Sequence, residues 1–371
     1  MSTIPLSLYV HFPWCVKKCP YCDFNSHELR QELPESAYIN ALIEDLQNER
    51  QGKSQQDITS IFLGGGTPSL FSGVAIKRLL RKIADQFFLN NCEITLEANP
   101  GTFDQTNFDD YLAAGVNRLS LGAQSFSIRH LQKLGRVHQA DDILNAFAGA
   151  RSAGFRRINI DLMFGLPNQD IDDALADLNK AIELKPEHIS WYQLTIEPNT
   201  VFHRYPPEKT SDDLIAEMTK QGHLLLERNG YEQYEVSAFA RPGEYALHNL
   251  NYWEFGDYLG IGAGAHGKLT SEKKIVRTQK SRVPTDYLAN TQGRRIEVSS
   301  EEINLEFLMN VLRLTNGFEL DLFTLRTRKP ITELLPFIHK AKQKGFVKQY
   351  QNRLVPTELG QRFLDDMLLL Y

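Results

Sequence analysis

Over the first two thirds of the chain, apolar runs suited to buried strands alternate with apolar stripes suited to amphipathic helices. The strand-like runs are Leu6–Phe12, Ile58–Leu63, Glu93–Ala98, Val116–Leu121, Arg157–Asp161 and His188–Leu194. Between the first two, Ile39, Leu42, Ile43 and Leu46 stand at offsets of 0, 3, 4 and 7, which places them on one helix face. Further helical patterns lie near Val74–Gln86, Gln105–Ala114, Ala140–Ala153, Asp170–Leu184 and Ser211–Asn229. Six strand–helix units in succession call for parallel strands with right-handed crossovers. An open doubly wound sheet and a complete or partial barrel both meet that demand.

The strand ends favour the barrel. The first strand runs into a loop with three cysteines, the second into Gly64-Gly65-Gly66-Thr67-Pro68-Ser69, and the third ends in Glu97-Ala98-Asn99-Pro100-Gly101. The fourth ends in Gly122-Ala123-Gln124-Ser125-Phe126, the fifth in Asp161 before Gly165-Leu166-Pro167, and the sixth in Thr195-Ile196-Glu197-Pro198. Polar and Gly/Pro-rich signals at the carboxyl end of every strand suit a barrel face. A doubly wound sheet would concentrate them at one switch point.

Past Asn229 the pattern changes. Tyr231–Ala238 reads as a strand, followed by a loop carrying His248-Asn249-Leu250-Asn251-Tyr252-Trp253. In Gly260-Ile261-Gly262-Ala263-Gly264-Ala265-His266, glycine at alternate positions predicts close approach of a ligand or a neighbouring strand. From about Ser299, amphipathic stretches at Glu301–Arg313 and Ile331–Lys344 precede a hairpin, Phe346–Tyr350 with Arg353–Val355. A last helix would start at Thr357, with Pro356 marking its entry. The expected organisation is a partial (β/α)6 TIM-type barrel over 1–230, an extension over 231–298, and a small winged-helix-like α+β domain over 299–371.

Length and composition agree with this picture and narrow the partners. The 371 residues can bury a full-sized core, and 42% hydrophobic with 23% charged residues describes an ordinary globule. A net charge of −5 gives no electrostatic case for nucleic acid. Met1-Ser2-Thr3-Ile4-Pro5 runs straight into a strand pattern, without the basic and apolar segments of a secretory signal. The reading is therefore a cytoplasmic protein in a reducing compartment, where clustered cysteines serve metals more often than disulfides.

Cys15, Cys19 and Cys22 place three of the four cysteines within eight residues, and three ligands leave one coordination position open. A structural zinc site completed by His11, Asp23 or His27, packing or redox thiols, and an iron–sulfur cluster are the alternatives. Cys92, remote in sequence, reads as a buried apolar residue. The glycine run would bring backbone amides to a small ligand. The Lys-Ser/Thr ending of a nucleotide phosphate loop is missing. Glu97 and Asp161 offer carboxylates to paired hydroxyls, and Arg136 can clamp a ligand carboxylate. His248 offers an imidazole for heme iron, with Tyr252 and Trp253 to stack on a flat macrocycle; the alternative is that all three pack against the barrel mouth.

The three cysteines, Tyr21 before the last of them, and the GGGTP run after the second strand resemble the signature of radical S-adenosylmethionine proteins. Within that superfamily the chain resembles the oxygen-independent coproporphyrinogen dehydrogenase group, most closely its heme-chaperone branch, over almost its whole length. The resemblance implies a 4Fe–4S cluster on Cys15, Cys19 and Cys22, whose fourth iron is chelated by S-adenosylmethionine. By motif position, Tyr9, Tyr21, Gly65, Gly66, Thr67, Glu97, Gln124, Arg136, Asp161 and Thr195 would line that cofactor. It implies heme as cargo with His248 as heme-binding residue, and a respiratory hemoprotein as acceptor. Peripheral contact with the cytoplasmic membrane and a homodimer are compatible with it.

Two departures separate the chain from the dehydrogenase. Cys22 is followed by Asp23-Phe24 where that enzyme continues Cys-x-Cys, and only about five residues precede the first strand. The expected function is that of a heme chaperone, with radical decarboxylation of a tetrapyrrole propionate as the alternative.

Overall fold

Leu6–Phe12 (β1) is buried along its whole length except for Tyr9, as expected of a strand covered on both faces. Leu8, Val10 and Phe12 face one way, and Tyr9 and His11 the other. β1 pairs in parallel with Ile58–Gly65 (β2), Leu8 opposite Ile61 and Val10 opposite Leu63. Glu93–Ala98 (β3), Arg118–Gln124 (β4), Arg157–Phe164 (β5) and His188–Gln193 (β6) continue the parallel ladder. Helices Glu35–Glu49, Gly73–Ala84, Gln105–Ala114, Ala140–Ala153 and Ile171–Leu184 connect successive strands. Their starts follow local chemistry: the Ser72 hydroxyl accepts from Ala75 N–H at 3.2 Å, and Asp170 accepts from Asp173 N–H at 2.8 Å. The computed structural model describes residues 4–50, 56–102, 105–272 and 274–371. The expected direct run of Met1–Thr3 into the first strand lies outside them.

Both edges of this six-stranded unit are extended. Glu232–Glu235 (β7) and Ala238–Ala240 (β8) form a hairpin whose second strand pairs antiparallel with β6. Asp257–Ile261 (β9) pairs in parallel with β1, and His266–Thr270 (β10), Ile275–Gln279 (β11) and Arg294–Glu297 (β12) follow antiparallel. The result is one 12-stranded sheet in which the six barrel strands are central. The unit is thus a partial barrel flanked by later chain on both sides.

Three local expectations change. The segment around His248 is a helix, Leu247–Trp253, and not a loop. It closes the amino-terminal end of the barrel, where His248 N–H donates to Glu93 Oε1 at 3.2 Å and Arg118 pairs with Glu93 at 3.2 Å. Second, β5 continues to Phe164, so Asp161 lies within the strand and faces the barrel interior. Third, Tyr231–Ala238 is a hairpin, with its turn between Glu235 and Ala238.

After Ser299 the chain forms helices Ser300–Val311, Leu320–Thr327 and Leu335–Gln343 beside a three-stranded sheet. The hairpin Val347–Tyr350 with Arg353–Pro356 is as expected, but Phe318–Glu319 adds a strand and Leu320–Thr327 a helix that periodicity did not signal. Pro356 ends its strand, Thr357 caps the next helix, and that helix breaks at Phe363. Phe307 packs edge-on against Phe255, Phe318 and Phe323, joining this body to the extension.

Candidate cofactor site

Trp14–Cys15 pairs with His27–Glu28, so the cysteine loop leaves the barrel and returns to the same place. Lys18 Nζ donates to the carbonyls of Phe24 and Ser26 at 3.2 and 3.0 Å and holds the loop closed. All three thiols are partly exposed, and each has a polar neighbour. Thr67 bonds the Cys15 side chain, Ser26 Oγ lies 3.6 Å from Cys22 Sγ, and Arg136 Nη1 donates to Cys19 Sγ at 3.7 Å. Burial pushes the Cys15 and Cys22 thiols up, and their neighbouring thiols act in the same direction on both. Such thiols ionise when a metal supplies the compensating charge. Among the described residues, no three His, Cys, Asp or Glu side chains are set to hold a single metal ion. A polynuclear cluster makes a different demand, since its ligands stand apart around a cube. A guanidinium and two hydroxyls beside the sulfurs suit its thiolate ligands.

The neighbouring barrel interior is polar. His11 Nε2 faces the Asn25 carbonyl at 2.8 Å, so it carries the proton, and Nδ1 accepts from the Tyr9 hydroxyl at 2.8 Å. Glu97 accepts from Gly65 N–H at 2.9 Å. Its carboxyl is pushed up to about 8 by burial and by the charge of Asp161. Asp161 accepts from Ser120 Oγ at 3.0 Å and Asn159 Nδ2 at 2.7 Å. Gln124 ends β4 at φ 70°, a left-handed conformation uncommon for a side-chain-bearing residue, beside a register shift in the β4–β5 ladder. The turn directs its carbonyl Oε1 toward the Tyr192 hydroxyl, which donates at 2.6 Å. Arg136 Nη2 donates to Gly122 O at 2.6 Å while Nε has no partner among the described residues. Tyr21 lies against Arg136 and Cys19, whereas Thr195 stands exposed beyond the end of β6.

One expectation about this face needs correction. The amides of the glycine run are engaged within the chain: Gly66 and Thr67 donate to the carbonyls of Phe12 and Trp14 at 2.6 and 2.8 Å. A Cβ at Gly66 would lie 2.6 Å from the Trp14 carbonyl oxygen, so the run serves close chain packing around the cysteine loop. The glycines after Tyr258 meet neighbouring chain, the second of the two approaches expected of them: Gly262 (φ 103°) abuts the His11 backbone and Gly264 (φ 83°) the Asn25 side chain.

Of the two readings of His248, the structure takes the packed one. Its ring is 4% exposed, stacks on Phe62 at 4.5 Å between centroids and meets Tyr252 edge-on at 4.5 Å. Nδ1 is buried without a partner among the described residues, and burial lowers the imidazole to about 3. Tyr252 and Trp253 do not form one stacking surface. Tyr252 turns to Tyr258, whereas Trp253 lies under Arg313 of the C-terminal body, 4.3 Å from guanidinium to ring centroid.

Sequence reasoning missed Asn25, Ser26, Ser120, Asn159 and Tyr192. Asn25 and Ser26 follow the last cysteine directly, so the loop motif was a signal for them. The other three lie on predicted strands, and the alternation of inward side chains was their only signal.

A partial (β/α)6 barrel with a three-thiol loop at the carboxyl ends of its strands defines the class: a radical S-adenosylmethionine protein. The sequence profile of the Radical SAM superfamily matches residues 9–181, and that of the HemN C-terminal domain matches residues 298–363. The chain is 46% identical to "Heme chaperone HemW" of Escherichia coli over 99% of this chain and 98% of that one. It is 35% identical to the Bacillus subtilis protein of the same name over 96% of each. Over 75% of its length it is 40% identical to a mouse mitochondrial radical S-adenosyl methionine domain-containing protein, of which it covers 64%. The chain belongs to the HemW family of the radical SAM superfamily. Its fold matches coproporphyrinogen III oxidase (HemN) of Escherichia coli with a TM-score of 0.83 at 22% identity, covering 99% of this chain and 90% of the other. Superfamily membership implies a 4Fe–4S cluster and S-adenosylmethionine.

Proposed function

We propose that this chain is a heme chaperone that binds heme and passes it to an acceptor hemoprotein. The observation that carries this reading is the full-length identity to relatives named for that role, at 46% over 99% of the chain. The Cys22-Asp23-Phe24 continuation agrees with it. Likeness to the coproporphyrinogen enzyme at 22% identity concerns the fold alone.

In this reading Cys15, Cys19 and Cys22 hold the cluster. When bound, the cluster supplies one electron and an iron that chelates the amino and carboxylate groups of S-adenosylmethionine. Tyr9, Tyr21, Glu97, Gln124, Arg136 and Asp161 line the cofactor, with Gly65, Gly66 and Thr67 as the packed turn beneath it and Thr195 at the rim. Arg136, placed between Cys19 and Gly122, offsets thiolate charge and ties the loop to β4. Glu97 and Asp161 accept hydrogen bonds from cofactor amine or ribose hydroxyls. The acceptor would be a respiratory hemoprotein at the cytoplasmic membrane, met by peripheral contact or as a homodimer. No helix among the described residues is long and apolar enough to cross a membrane.

The test is anaerobic heme titration of the cluster-loaded protein, followed by mixing with an apo b-type cytochrome. Stoichiometric uptake and transfer of heme is the expected result. Decarboxylation of coproporphyrinogen with formation of deoxyadenosine, and no heme transfer, would replace this reading with the enzymatic one.

A further inference from the structure

A cavity of about 340 Å³ opens between the cysteine loop and the β9–β10 pair. One wall is aromatic. The Tyr252 and Tyr258 rings meet edge-on at 4.5 Å, Arg277 donates to the Tyr258 hydroxyl at 2.8 Å, and Tyr9 lies behind. Phe24, two residues after Cys22, forms the mouth and is 60% exposed. Arg282 stands exposed at the rim.

Four histidines lie in or near this opening, and three are committed elsewhere. His11 uses both ring nitrogens, on Tyr9 and Asn25. His27 Nε2 is engaged by the Arg282 carbonyl at 3.1 Å. His248 is enclosed behind Tyr9 and Tyr252, the residues whose other faces line the cavity. The imidazole of His266 is exposed and has no hydrogen-bond partner among the described residues. Partial burial, with Arg277 and Arg282 nearby, lowers its affinity for a proton, which leaves the neutral ring that iron needs. His266 also starts a strand held close to β9: a Cβ at Gly260 would lie 1.9 Å from the His266 carbonyl oxygen. The ligand therefore stands on a fixed backbone.

We propose that heme docks by one edge in this cavity, with His266 as an axial ligand, Tyr252 and Tyr258 as the wall beside the macrocycle, and Arg282 pairing with one of its carboxylates. The proposal rests on the heme-chaperone reading and deepens it. The cavity lies near the lower limit of ordinary ligand pockets, so much of the macrocycle stays outside. Partial enclosure suits a cargo that must leave. In this arrangement the HNLNYW helix contributes through Tyr252, and His248 is a positioning residue behind that tyrosine.

The experiment titrates heme into the cluster-loaded full chain and into His266→Ala, His266→Met, His248→Ala and Arg282→Gln, with optical and electron paramagnetic resonance spectra of the heme. Wild type is expected to show imidazole ligation. His266→Ala is expected to lose that signature and bind at least about tenfold more weakly, as expected when a metal ligand is removed, with added imidazole restoring the spectrum. His266→Met should convert it to a thioether-ligated spectrum. His248→Ala should keep the imidazole signature, and Arg282→Gln should weaken binding severalfold with the spectrum intact. An unchanged His266→Ala spectrum beside an imidazole-rescued loss in His248→Ala overturns the proposal and leaves the chaperone reading standing. Failure of wild type to bind heme at all overturns both.

Discussion

Glu97 shows at the scale of one side chain how the cofactor face is tuned. It is the last but one residue of β3, turned inward, with Asp161 across the barrel and the Gly65 amide as its donor. Burial and the Asp161 charge raise its carboxyl to about 8, against one opposing hydrogen bond. In the folded, cofactor-free chain Glu97 therefore keeps a proton that the unfolded chain releases near its ordinary value. Between that value and about 8 the folded state binds more protons, so its contribution to stability is full at low pH and is lost as pH rises. Denaturant unfolding of Glu97→Gln should fall off less steeply from pH 5 to 8 than that of wild type; parallel profiles would refute the shift. The sequence marked Glu97 as a strand-end carboxylate. Its protonation depends on burial first and then on Asp161, 64 positions away, which the curved parallel sheet brings near.

At the scale of elements, the extension is held to the barrel by a buried charge cluster that periodicity does not reveal. Lys280, just past β11, places its ammonium on Asp45 and, at 2.7 Å, on Glu49 of the helix Glu35–Glu49. All three side chains are buried. Tyr287 donates to Asp45 at 2.8 Å, and Arg295 pairs with Glu49 at 3.2 Å. Lys280→Met would leave buried Asp45 without its cation and Glu49 with Arg295 alone, and should destabilise the protein by about 3–5 kcal/mol. In denaturant melts, adding Asp45→Leu and Glu49→Leu to Lys280→Met should recover part of that loss, because the stranded charges are then gone. A single-variant loss under about 1 kcal/mol would show that the cluster is not a clamp. The six barrel strands and their helices were legible because each carries its own apolar period. The helix Leu320–Thr327 was not, since its buried residues are Phe323, Arg326 and Thr327, and two of these are polar.

Across the whole molecule, two large cores carry the fold, and the cysteine loop reaches only a small cluster of Leu134, Met163, Leu166 and Phe202, through Tyr21. Leu8, Val10, Ile61, Leu63, Leu119, Ile158 and Ile160 belong to the barrel core, and Phe307, Phe323 and Phe337 to the C-terminal one. The cysteine loop is held by Lys18, Asn25 and Arg136 through hydrogen bonds. Chelation of the cluster should therefore leave the far-ultraviolet circular dichroism unchanged within a few percent and lower the melting temperature only slightly. Loss of secondary structure on chelation would instead make the cluster a folding element, as in small metal domains.

The sequence by itself determined the strand–helix alternation, the parallel barrel, the C-terminal hairpin and the three-thiol loop, because these are set by periods and spacings of neighbouring residues. Tertiary structure decided what each polar side chain faces. It turned the amides of the glycine run inward, enclosed His248 behind Tyr252, and left His266 exposed at the start of a paired strand. The physical reason is that burial and hydrogen-bond partners are properties of contacts between distant segments. A spacing of cysteines survives in the sequence, but the exposure of one imidazole among four does not.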